Sequence, residues 1–443
     1  MKKNFTDNFI FALIALAVFS YVCFGHKNSI GFSLLFSFLS GAVIFRSVKK
    51  SYEVSSLITF FNIANLFAAF IFIVRPIYFL IQDEFLSYPA RIYYNVTGFY
   101  LGYADLPWAK ASLIGMLGIA FLNIPLLYTK KRLDLKILSA QKSSYKFTKK
   151  QLLMLSLFTV MAFALGLVFV LKKNIGISVH IYDLVWIFLF SSMLLYIISR
   201  KRRANIFLYF IIACAILFLS LSGRRQYIVN LLLCYIIPIY FVGKNRKKTY
   251  ALLALFVLLT FVVVRVYAGI RGSTQSNLFY GVISEFSMYD MLMVTDFHFD
   301  LNNIGLFWGY NYLDIFTIPI PKLHVRPFDH MATGIVFNGF FHGAIPTSIF
   351  GSLYFNFSYI GVCLGSFILG SVLLKAQKFL SSDISYESIG YYSIFATFVY
   401  DIIRVGDIGR EFWSCMTLII VYSFFMFFMR KIRNDTIVLK SAS

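Results

Sequence analysis

Long, nearly uncharged apolar segments constrain the fold of this sequence more than any other feature. A run of about 17 to 25 apolar residues is long enough to cross the hydrocarbon core of a bilayer as a helix, and in a helix every backbone polar group is satisfied within the segment. About twelve such segments occur, near 9–25, 29–46, 56–80, 111–129, 151–171, 183–199, 204–222, 226–242, 250–267, 346–374, 387–403 and 412–429. The sequence therefore predicts an all-α polytopic membrane protein, with 1–443 forming a single integral membrane domain.

The composition favours a membrane protein over a soluble one. Of the 443 residues, 59% are hydrophobic and 14% are charged, so a soluble globule could not cover its apolar surface with polar groups. The formal net charge is +22, but the basic residues fall in short runs between apolar segments. That pattern is typical of loops that set membrane topology and argues against a nucleic-acid partner. The five cysteines lie inside apolar segments and are predicted to be small buried apolar residues.

The distribution of basic residues predicts the orientation of the chain. With the N-terminus in the cytoplasm, 27 of the 41 lysines and arginines fall in cytoplasmic segments and 13 fall outside. A ratio near two to one obeys the positive-inside rule. Both termini are then cytoplasmic. Two outer loops are long enough to carry a site, 81–110 and 268–345, and the longer one is predicted to carry short helices.

Arginine is concentrated on the outer side. Cytoplasmic segments hold 19 lysines and 8 arginines, whereas outer segments hold 5 lysines and 8 arginines. Lysine is sufficient to set topology, but the planar guanidinium matches phosphate or carboxylate in a bidentate manner. A single arginine at a helix end is equally well explained by contact with lipid headgroups. So many arginines on the side that the positive-inside rule disfavours indicate an anion-binding site. The members at outer helix ends are Arg224, Arg225, Arg265, Arg271, Arg404 and Arg410.

Arg75 lies near the outer end of the third apolar segment, directly before Pro76. Two interpretations are open: a functional intramembrane cation, or an arginine that extends to the headgroups. Pro76 is expected to kink the helix beside it.

The long outer loop contains two recognisable patterns. An apolar stripe at helical spacing predicts a helix that lies flat in the outer leaflet; its members are Leu278, Val282, Phe286, Tyr289 and Met293. Closely spaced prolines in 319–327 then forbid a helix and predict an extended segment. That segment presents Lys322, His324 and Arg326.

Asp296, His298 and Asp300 alternate in the same loop, so a strand there would place them on one side as metal ligands. Because polar loop residues at this density usually contact water, the sequence favours a site without a metal ion. The sequence has no phosphate-binding glycine loop, nucleophile elbow or zinc-protease motif. Any chemistry must therefore use a substrate that is already activated.

In this arrangement the chain resembles the O-antigen polymerase (Wzy) family, particularly the oligosaccharide repeat unit polymerases. The resemblance covers the architecture throughout and local pattern over about 220–415. Its motifs are Ser222-Gly223-Arg224-Arg225, Arg265 with Tyr267, the Pro-Lys-x-x-x-Arg-Pro segment at 321–327, Pro346–Phe357 followed by Gly361, and Arg404 to Arg410. One departure is that Gly223 precedes two arginines directly, without the small residue that family members often carry there.

The resemblance implies a glycosyltransferase of the bacterial inner (plasma) membrane with its active site facing the periplasm. Its substrate would be an undecaprenyl-diphosphate-linked oligosaccharide, with no nucleotide sugar, cofactor or metal. A polysaccharide co-polymerase that regulates chain length is the expected partner, alongside membrane lipids.

In such an enzyme, the outer cations would bind and stabilise diphosphate as the glycosidic bond breaks. We assign catalytic roles to Arg404, Arg410 and Asp407. Substrate-binding roles fall to Arg224, Arg225, Arg265, Arg271, Arg326, Lys322, His324 and Arg75. The acceptor hydroxyl also needs a base, for which the alternatives are Asp401, Asp407, Glu411, His324 and Asp290. Asp407 lies between two arginines, so a structural ion pair is equally open.

Three other functions remain open, and one of them is a non-catalytic membrane scaffold whose basic outer surface holds anionic lipid. An O-antigen ligase would use the same donor with a lipid A core acceptor, and sequence physics does not separate it from a polymerase. A flippase or ion-coupled transporter usually carries ionisable residues, broken helices or inverted repeats at mid-membrane. Here the deep polar residues are neutral, such as Asn62, Asn65 and Asn123, and no internal repeat is visible.

Overall fold

The computed structural model describes residues 5–54, 58–81, 88–98, 101, 105–129, 153–155, 157, 160–161, 164, 187–195, 225–242, 287–317, 328–337, 345–382 and 386–441. The chain divides into two compact units. Unit 1 comprises residues 1–134, 282–379 and 399–413, and unit 2 comprises the remainder. No strand occurs within the described ranges, which confirms the predicted all-α class for that part of the chain.

The helices follow the apolar segments of the sequence. The first group is α1 (Phe5–Phe24), α2 (Ile30–Val54), α3 (Phe60–Ala69), a π-helical turn (Phe70–Val74), α4 (Arg75–Ile81), α5 (Tyr88–Thr97) and α6 (Trp108–Leu127). The second group is α7 (Arg225–Val242), α8 (Met288–Leu301), a 3₁₀ turn (Tyr310–Leu313), α9 (Asp314–Thr317), α10 (Phe328–Val336), α11 (Ser348–Ser382), α12 (Tyr386–Val405) and α13 (Ile408–Ser441).

Six of these helical segments are long and apolar enough to cross a membrane. They are Thr6–Phe24, Ile30–Glu53, Phe60–Tyr78, Trp108–Leu127, Ser348–Leu380 and Ile408–Arg430. The segments predicted near 226–242 and 387–403 are helical as α7 and α12, without being among the six. Those predicted near 204–222 and 250–267 lie outside the described residues, and those near 151–171 and 183–199 are described only in part.

The third apolar segment changes its helical geometry directly before Arg75. The backbone N–H of Arg75 donates to the carbonyl of Phe70, five residues back, and closes a π-helical turn. Pro76 has no N–H to donate to the preceding turn. Instead, the Ser37 hydroxyl of α2 donates to the carbonyl of Phe72 at 3.1 Å. The expected irregularity at Pro76 is therefore a π turn, a feature that is frequent at functional sites.

A neutral hydrogen-bond network joins α2, α3 and α6 in their buried interior. Asn65 and Asn123 exchange hydrogen bonds through their side-chain amides at 3.0 and 2.8 Å. The Ser47 hydroxyl donates to Asn123 at 2.6 Å and accepts from Asn65 at 3.0 Å. Buried amides of this kind hold membrane helices together, so two of the deep polar residues in the sequence have a packing role.

Helix α11 is interrupted at Phe357 and Ser358, where the backbone leaves helical geometry and Ser358 adopts φ +59°. The loop that follows α8 satisfies carbonyls next to the break, because the N–H groups of Phe307 and Trp308 donate to the carbonyls of Phe355 and Asn356, both at 3.1 Å. Residues 359–382 alone would rise about 36 Å at helical pitch, more than the thickness of a hydrocarbon core. The break therefore lies towards one end of α11.

The segments predicted to lie outside the membrane contact each other in unit 1. The Asp300 carboxylate at the end of α8 pairs with Lys27 at 2.9 Å, between α1 and α2. Asp296 pairs with Lys110 of α6 at 2.8 Å, and the Tyr93 hydroxyl of α5 lies 3.2 Å from Nδ1 of His298. We call this end of unit 1, where α8 meets Lys27, α5 and the first turn of α6, the loop end.

These contacts correct the strand expected for Asp296, His298 and Asp300. The three residues lie in α8, where alternate positions point in different directions and positions four apart share a face. Asp296 and Asp300 therefore face the two lysines, while His298 faces Tyr93. Within the described ranges, no group of three or more histidine, cysteine or carboxylate side chains is arranged to hold a metal ion. Of the predicted apolar stripe, Tyr289 and Met293 are buried in this helix.

Unit 2 has its own apolar core. Leu231, Leu232 and Cys234 of α7 belong to the same buried cluster as Ile394 of α12 and Tyr422 of α13. Gly390 allows the close approach of Tyr422, because a Cβ there would lie 2.1 Å from the tyrosine hydroxyl. At the surface, Arg430 forms a bidentate pair with Glu387.

Candidate functional site

The turn between α12 and α13 is built on a glycine and an aspartate. Gly406 adopts φ +78°, and a Cβ there would lie 2.5 Å from the backbone oxygen of Ser348, so the position requires glycine. Asp407 then caps α13, because its carboxylate accepts from the N–H of Arg410 at 3.1 Å and its carbonyl accepts from the N–H of Glu411 at 3.2 Å. The turn thus fixes three charged positions, 407, 410 and 411.

A second carboxyl group, from Asp314 of α9, reaches the same turn. Its side chain packs against the first turn of α13, where a Cβ on Gly409 would lie 2.0 Å from Oδ1 of Asp314. The carboxyl groups of Asp314 and Asp407 are close enough to interact with each other, and a hydrogen bond between two carboxyl groups requires one proton. Trp413 fixes this segment further, since its indole N–H donates to the carbonyl of Ile315 at 2.7 Å.

Two arginines lie near these carboxyl groups: Arg410 acts on Asp407, and Arg404 acts on Glu411. Arg404, in the last turn of α12, is half-buried, and Arg410 is exposed. Arg410 lies within electrostatic range of Asp329, Asp407 and Glu411. The carboxyl groups around the turn are all almost fully buried: Asp314, Asp329, Asp401, Asp407 and Glu411. We call these seven residues the turn cluster, and in it carboxyl groups outnumber guanidinium groups.

Burial changes the protonation of the turn cluster. Desolvation, reinforced by the neighbouring Asp314, raises the pKa of Asp407 to about 7. Desolvation also raises the pKa of Asp314 and of Asp329, for which the charge of Asp407 adds to the effect. A carboxyl group with a pKa near neutrality accepts or releases a proton readily at physiological pH. The turn cluster therefore combines a proton-exchanging pair with two permanent cations.

Arg75 lies in a different environment. Its Nε and Nη2 atoms donate to the two carboxylate oxygens of Asp290 at 3.1 and 2.5 Å, and both side chains are 1% exposed. The interpretation that Arg75 extends to lipid headgroups is wrong, because its guanidinium is buried against α8. Asp290, one of the alternatives for the base, is the partner in this pair.

Several predicted site residues lie outside the described residues: Arg224, Arg265, Arg271, Lys322, His324 and Arg326. Arg225 begins α7, and its side chain is not described. Of the predicted set, the turn cluster brings together Arg404, Asp407 and Arg410, with Asp401 and Glu411 beside them. Asp407 caps α13 and lies beside the carboxyl group of Asp314, and the ion pair with an arginine that the sequence left open stays a prediction.

The sequence interpretation missed Asp314 and Asp329. Both lie in the long outer loop, 93 and 78 residues before Asp407 in the sequence, and each occupies the first turn of a short helix. A carboxylate at the start of a helix is ordinary capping chemistry, so their pattern gave no sign of a shared site. Only the packing of α9 against the first turn of α13 brings Asp314 there.

Comparisons with protein families, curated proteins and solved structures found no match for this chain.

Proposed function

We propose that this chain is a glycosyltransferase that polymerises undecaprenyl-diphosphate-linked oligosaccharide repeat units. In this proposal it works in the bacterial plasma membrane, with about twelve transmembrane helices, cytoplasmic termini and the loop end at the periplasmic face. The observation that carries the proposal is the turn cluster, in which the neighbouring carboxyl groups of Asp314 and Asp407 lie with Arg410, and Arg404 lies near Glu411.

This combination supplies the two requirements of glycosyl transfer from a diphosphate. The bond between the anomeric carbon and a diphosphate oxygen breaks, and its electron pair leaves with the diphosphate, where guanidinium groups stabilise the developing charge. The acceptor hydroxyl forms the new bond to the anomeric carbon, and its proton passes to the carboxylate of the Asp314–Asp407 pair. Diphosphate is already a good leaving group, so the protein mainly positions and stabilises charge.

The excess of carboxyl groups bears on where the diphosphate binds. Protonation of buried carboxyl groups, which their raised pKa values favour, lowers the negative charge around Arg404 and Arg410. The other predicted cations, Arg224, Arg225, Arg265, Arg271, Lys322 and Arg326, would supply the additional positive charge. We therefore place the diphosphate on the exposed side of the turn cluster, next to Arg410.

A second candidate function is a transporter for the same lipid-linked oligosaccharide. Two observations favour it, because a broken helix and buried ionisable groups are typical of transport sites. A transporter places these features near mid-membrane. The break in α11 lies beside the loop after α8, and the turn cluster lies beside Ser348, two residues before Phe350, which packs against Gly118 of α6. A transport assay therefore decides between the two functions. An O-antigen ligase fits the turn cluster as well as a polymerase does, and the acceptor used in an assay separates the two.

The test is a reconstituted assay with the purified chain in nanodiscs and a lipid-diphosphate-linked repeat unit as the only substrate. We expect a ladder of products on a gel that separates glycans by length. Product that forms only after lipid A core is added would identify a ligase. Protein-dependent movement of intact substrate across proteoliposomes, without new glycosidic bonds, would identify a transporter.

Variants of the arginines test the assignment of the site. Arg404→Ala and Arg410→Ala should each lower the polymerisation rate by about 100-fold, in line with the loss of one donor to a developing oxyanion. Arg430→Ala is the matched control, since Arg430 lies on the same helix as Arg410 and pairs with Glu387 in unit 2. Equal losses in all three variants would remove the turn cluster from the mechanism.

A further inference from the structure

The loop after α8 holds a tryptophan in an unusual backbone conformation. Trp308 has φ +51°, a left-handed conformation that costs a bulky residue roughly 1–2 kcal/mol. Gly309 follows with φ +79°, and Asn303 earlier in the loop has φ +52°. Strained residues persist only where surrounding contacts fix them, and they concentrate at functional sites.

The contacts that fix Trp308 come from the break in α11. Its N–H donates to the carbonyl of Asn356 at 3.1 Å, and the neighbouring N–H of Phe307 donates to Phe355 at the same distance. The N–H of Gly309 donates to the side-chain oxygen of Asn356 at 3.1 Å. A Cβ on Gly309 would lie 2.6 Å from the Phe357 ring, so this residue must be glycine for the loop to sit against the break. These hydrogen bonds therefore fix the backbone of Trp308 against α11.

The side chain of Trp308 is nevertheless exposed. The residue is 76% exposed, and Tyr310 beside it is 54% exposed. The residues that precede Trp308 include the exposed polar residues Asp300, Asn302 and Asn303 and the exposed Leu301. An exposed indole presents a plane that matches the apolar C–H face of a pyranose ring, and polar side chains of the same loop are suited to its hydroxyl groups.

The same segment leads directly to the turn cluster. Tyr312 stacks on Phe357 with 6.0 Å between ring centroids and shares a hydrogen bond with the Ser352 hydroxyl at 3.1 Å. Asp314, two residues later, packs against Gly409 of α13. The break in α11 thus positions the tryptophan platform and one carboxyl of the proton-exchanging pair on a single short segment.

We propose that Trp308 is a stacking platform for a pyranose of the oligosaccharide repeat unit, with Tyr310 and Asn303 at its edge. The proposal rests on the proposed function and adds a glycan subsite to it. Exposed aromatic residues also occur where proteins meet the membrane interface. A headgroup anchor, however, needs no fixed backbone, whereas stacking on a sugar ring requires a plane of fixed orientation. Phe316, 70% exposed on the same segment, is the residue better suited to lipid.

The test measures binding of the free oligosaccharide, without its lipid. The probe is the repeat unit released by mild acid from the lipid-linked pool of cells that carry this gene, titrated against the full chain in nanodiscs by saturation-transfer NMR. We expect Trp308→Ala and Trp308→Gly to raise the Kd by about tenfold, and Trp308→Phe to retain most of the affinity. Phe316→Ala, the matched control, should bind as the wild type does.

Trp308→Gly separates this role from a structural one. Glycine accepts a positive φ without strain, so this variant should melt at or above the temperature of the wild type while its affinity falls. Binding by Trp308→Ala and Trp308→Gly equal to that of the wild type would overturn the proposal, as would a wild type that does not bind the oligosaccharide. Trp308-dependent binding without any product ladder would support the glycan subsite and remove the polymerase.

Discussion

Two of the sites in unit 1 where arginine meets buried carboxyl groups differ in stoichiometry and in access to the surface. Arg75 and Asp290 form a one-to-one bidentate pair in which both side chains are 1% exposed. In the turn cluster, two arginines meet five buried carboxyl groups, and Arg410 is exposed. In the buried pair of Arg75 and Asp290, the two charges balance each other, and the pair contributes to the packing of the helices. The turn cluster has more carboxyl groups than arginines and reaches the surface, so it can exchange protons and ligands. We therefore assign a structural role to the pair of Arg75 and Asp290 and a chemical role to the turn cluster.

The largest expected effect is the loss of the closed pair. Arg75→Ala leaves the Asp290 carboxylate buried without its cation and should destabilise the protein by about 3–5 kcal/mol. The double variant Arg75→Met with Asp290→Leu removes both charges and should recover most of that loss. Thermal unfolding in detergent measures both.

Lys27→Ala provides the control for this prediction. Its partner Asp300 is also in α8, but the pair is solvent-exposed, with side chains 48% and 43% exposed. Such pairs contribute less than about 1 kcal/mol. If Arg75→Ala unfolded at the same temperature as Lys27→Ala, the closed pair would not be structural and the contrast with the turn cluster would disappear.

The next effect is the pH dependence of the turn cluster. Because the folded state raises the pKa of Asp407 from 3.8 to about 7, the folded protein binds a proton that the unfolded chain releases. This stability is fully present below about pH 4 and is lost as the pH rises towards 7, by about 2 kcal/mol between pH 5 and pH 7. The polymerisation rate should rise over the same interval, because the deprotonated pair is the base.

Asp407→Asn tests this assignment, since asparagine keeps the helix cap but does not titrate. The slope of stability against pH should become smaller without vanishing. Groups that face Asp407 from α9, α10, α12 and α13 remain, namely Asp314, Asp329, Asp401, Arg410 and Glu411. An unchanged slope, or an unchanged acid limb in the rate profile, would show that Asp407 does not exchange the proton.

These two sites differ in how far the sequence predicts them. The apolar runs predict α1, α2 and α6 because length and hydrophobicity are local properties. Pro76 predicts an irregular backbone for the same reason. Arg404, Asp407 and Arg410 fall within one turn, so their proximity is also visible in the sequence.

The partners of these residues depend on tertiary packing. Arg75 and Asp290 are 215 residues apart, and nothing in the sequence around Asp290 shows that α8 is buried against the third apolar segment. The break in α11 contains neither glycine nor proline at Phe357 and Ser358. It is stabilised by hydrogen bonds from residues 307–309, a loop that no local pattern connects to it.

The smallest expected effect concerns Gly406, whose backbone conformation forms the turn of the turn cluster. Gly406 and Gly98 both have positive φ, +78° and +69°, so alanine at either position costs about 1 kcal/mol in backbone strain. At Gly98 nothing lies within 4 Å of an added Cβ, whereas at Gly406 the backbone of Ser348 lies 2.5 Å away. Gly406→Ala must also push α11 from the turn.

We therefore expect Gly406→Ala to be less stable than Gly98→Ala by about 1 kcal/mol or more, measured by thermal unfolding of both variants in one detergent. Since the displaced turn carries Arg404 and Asp407, polymerisation should fall in Gly406→Ala and stay normal in Gly98→Ala. Equal stability and equal activity would mean that the turn adapts without moving α11. The exposure of Arg410 would then be a property of a flexible turn, and the turn cluster would lose the fixed geometry that distinguishes it from a set of surface charges.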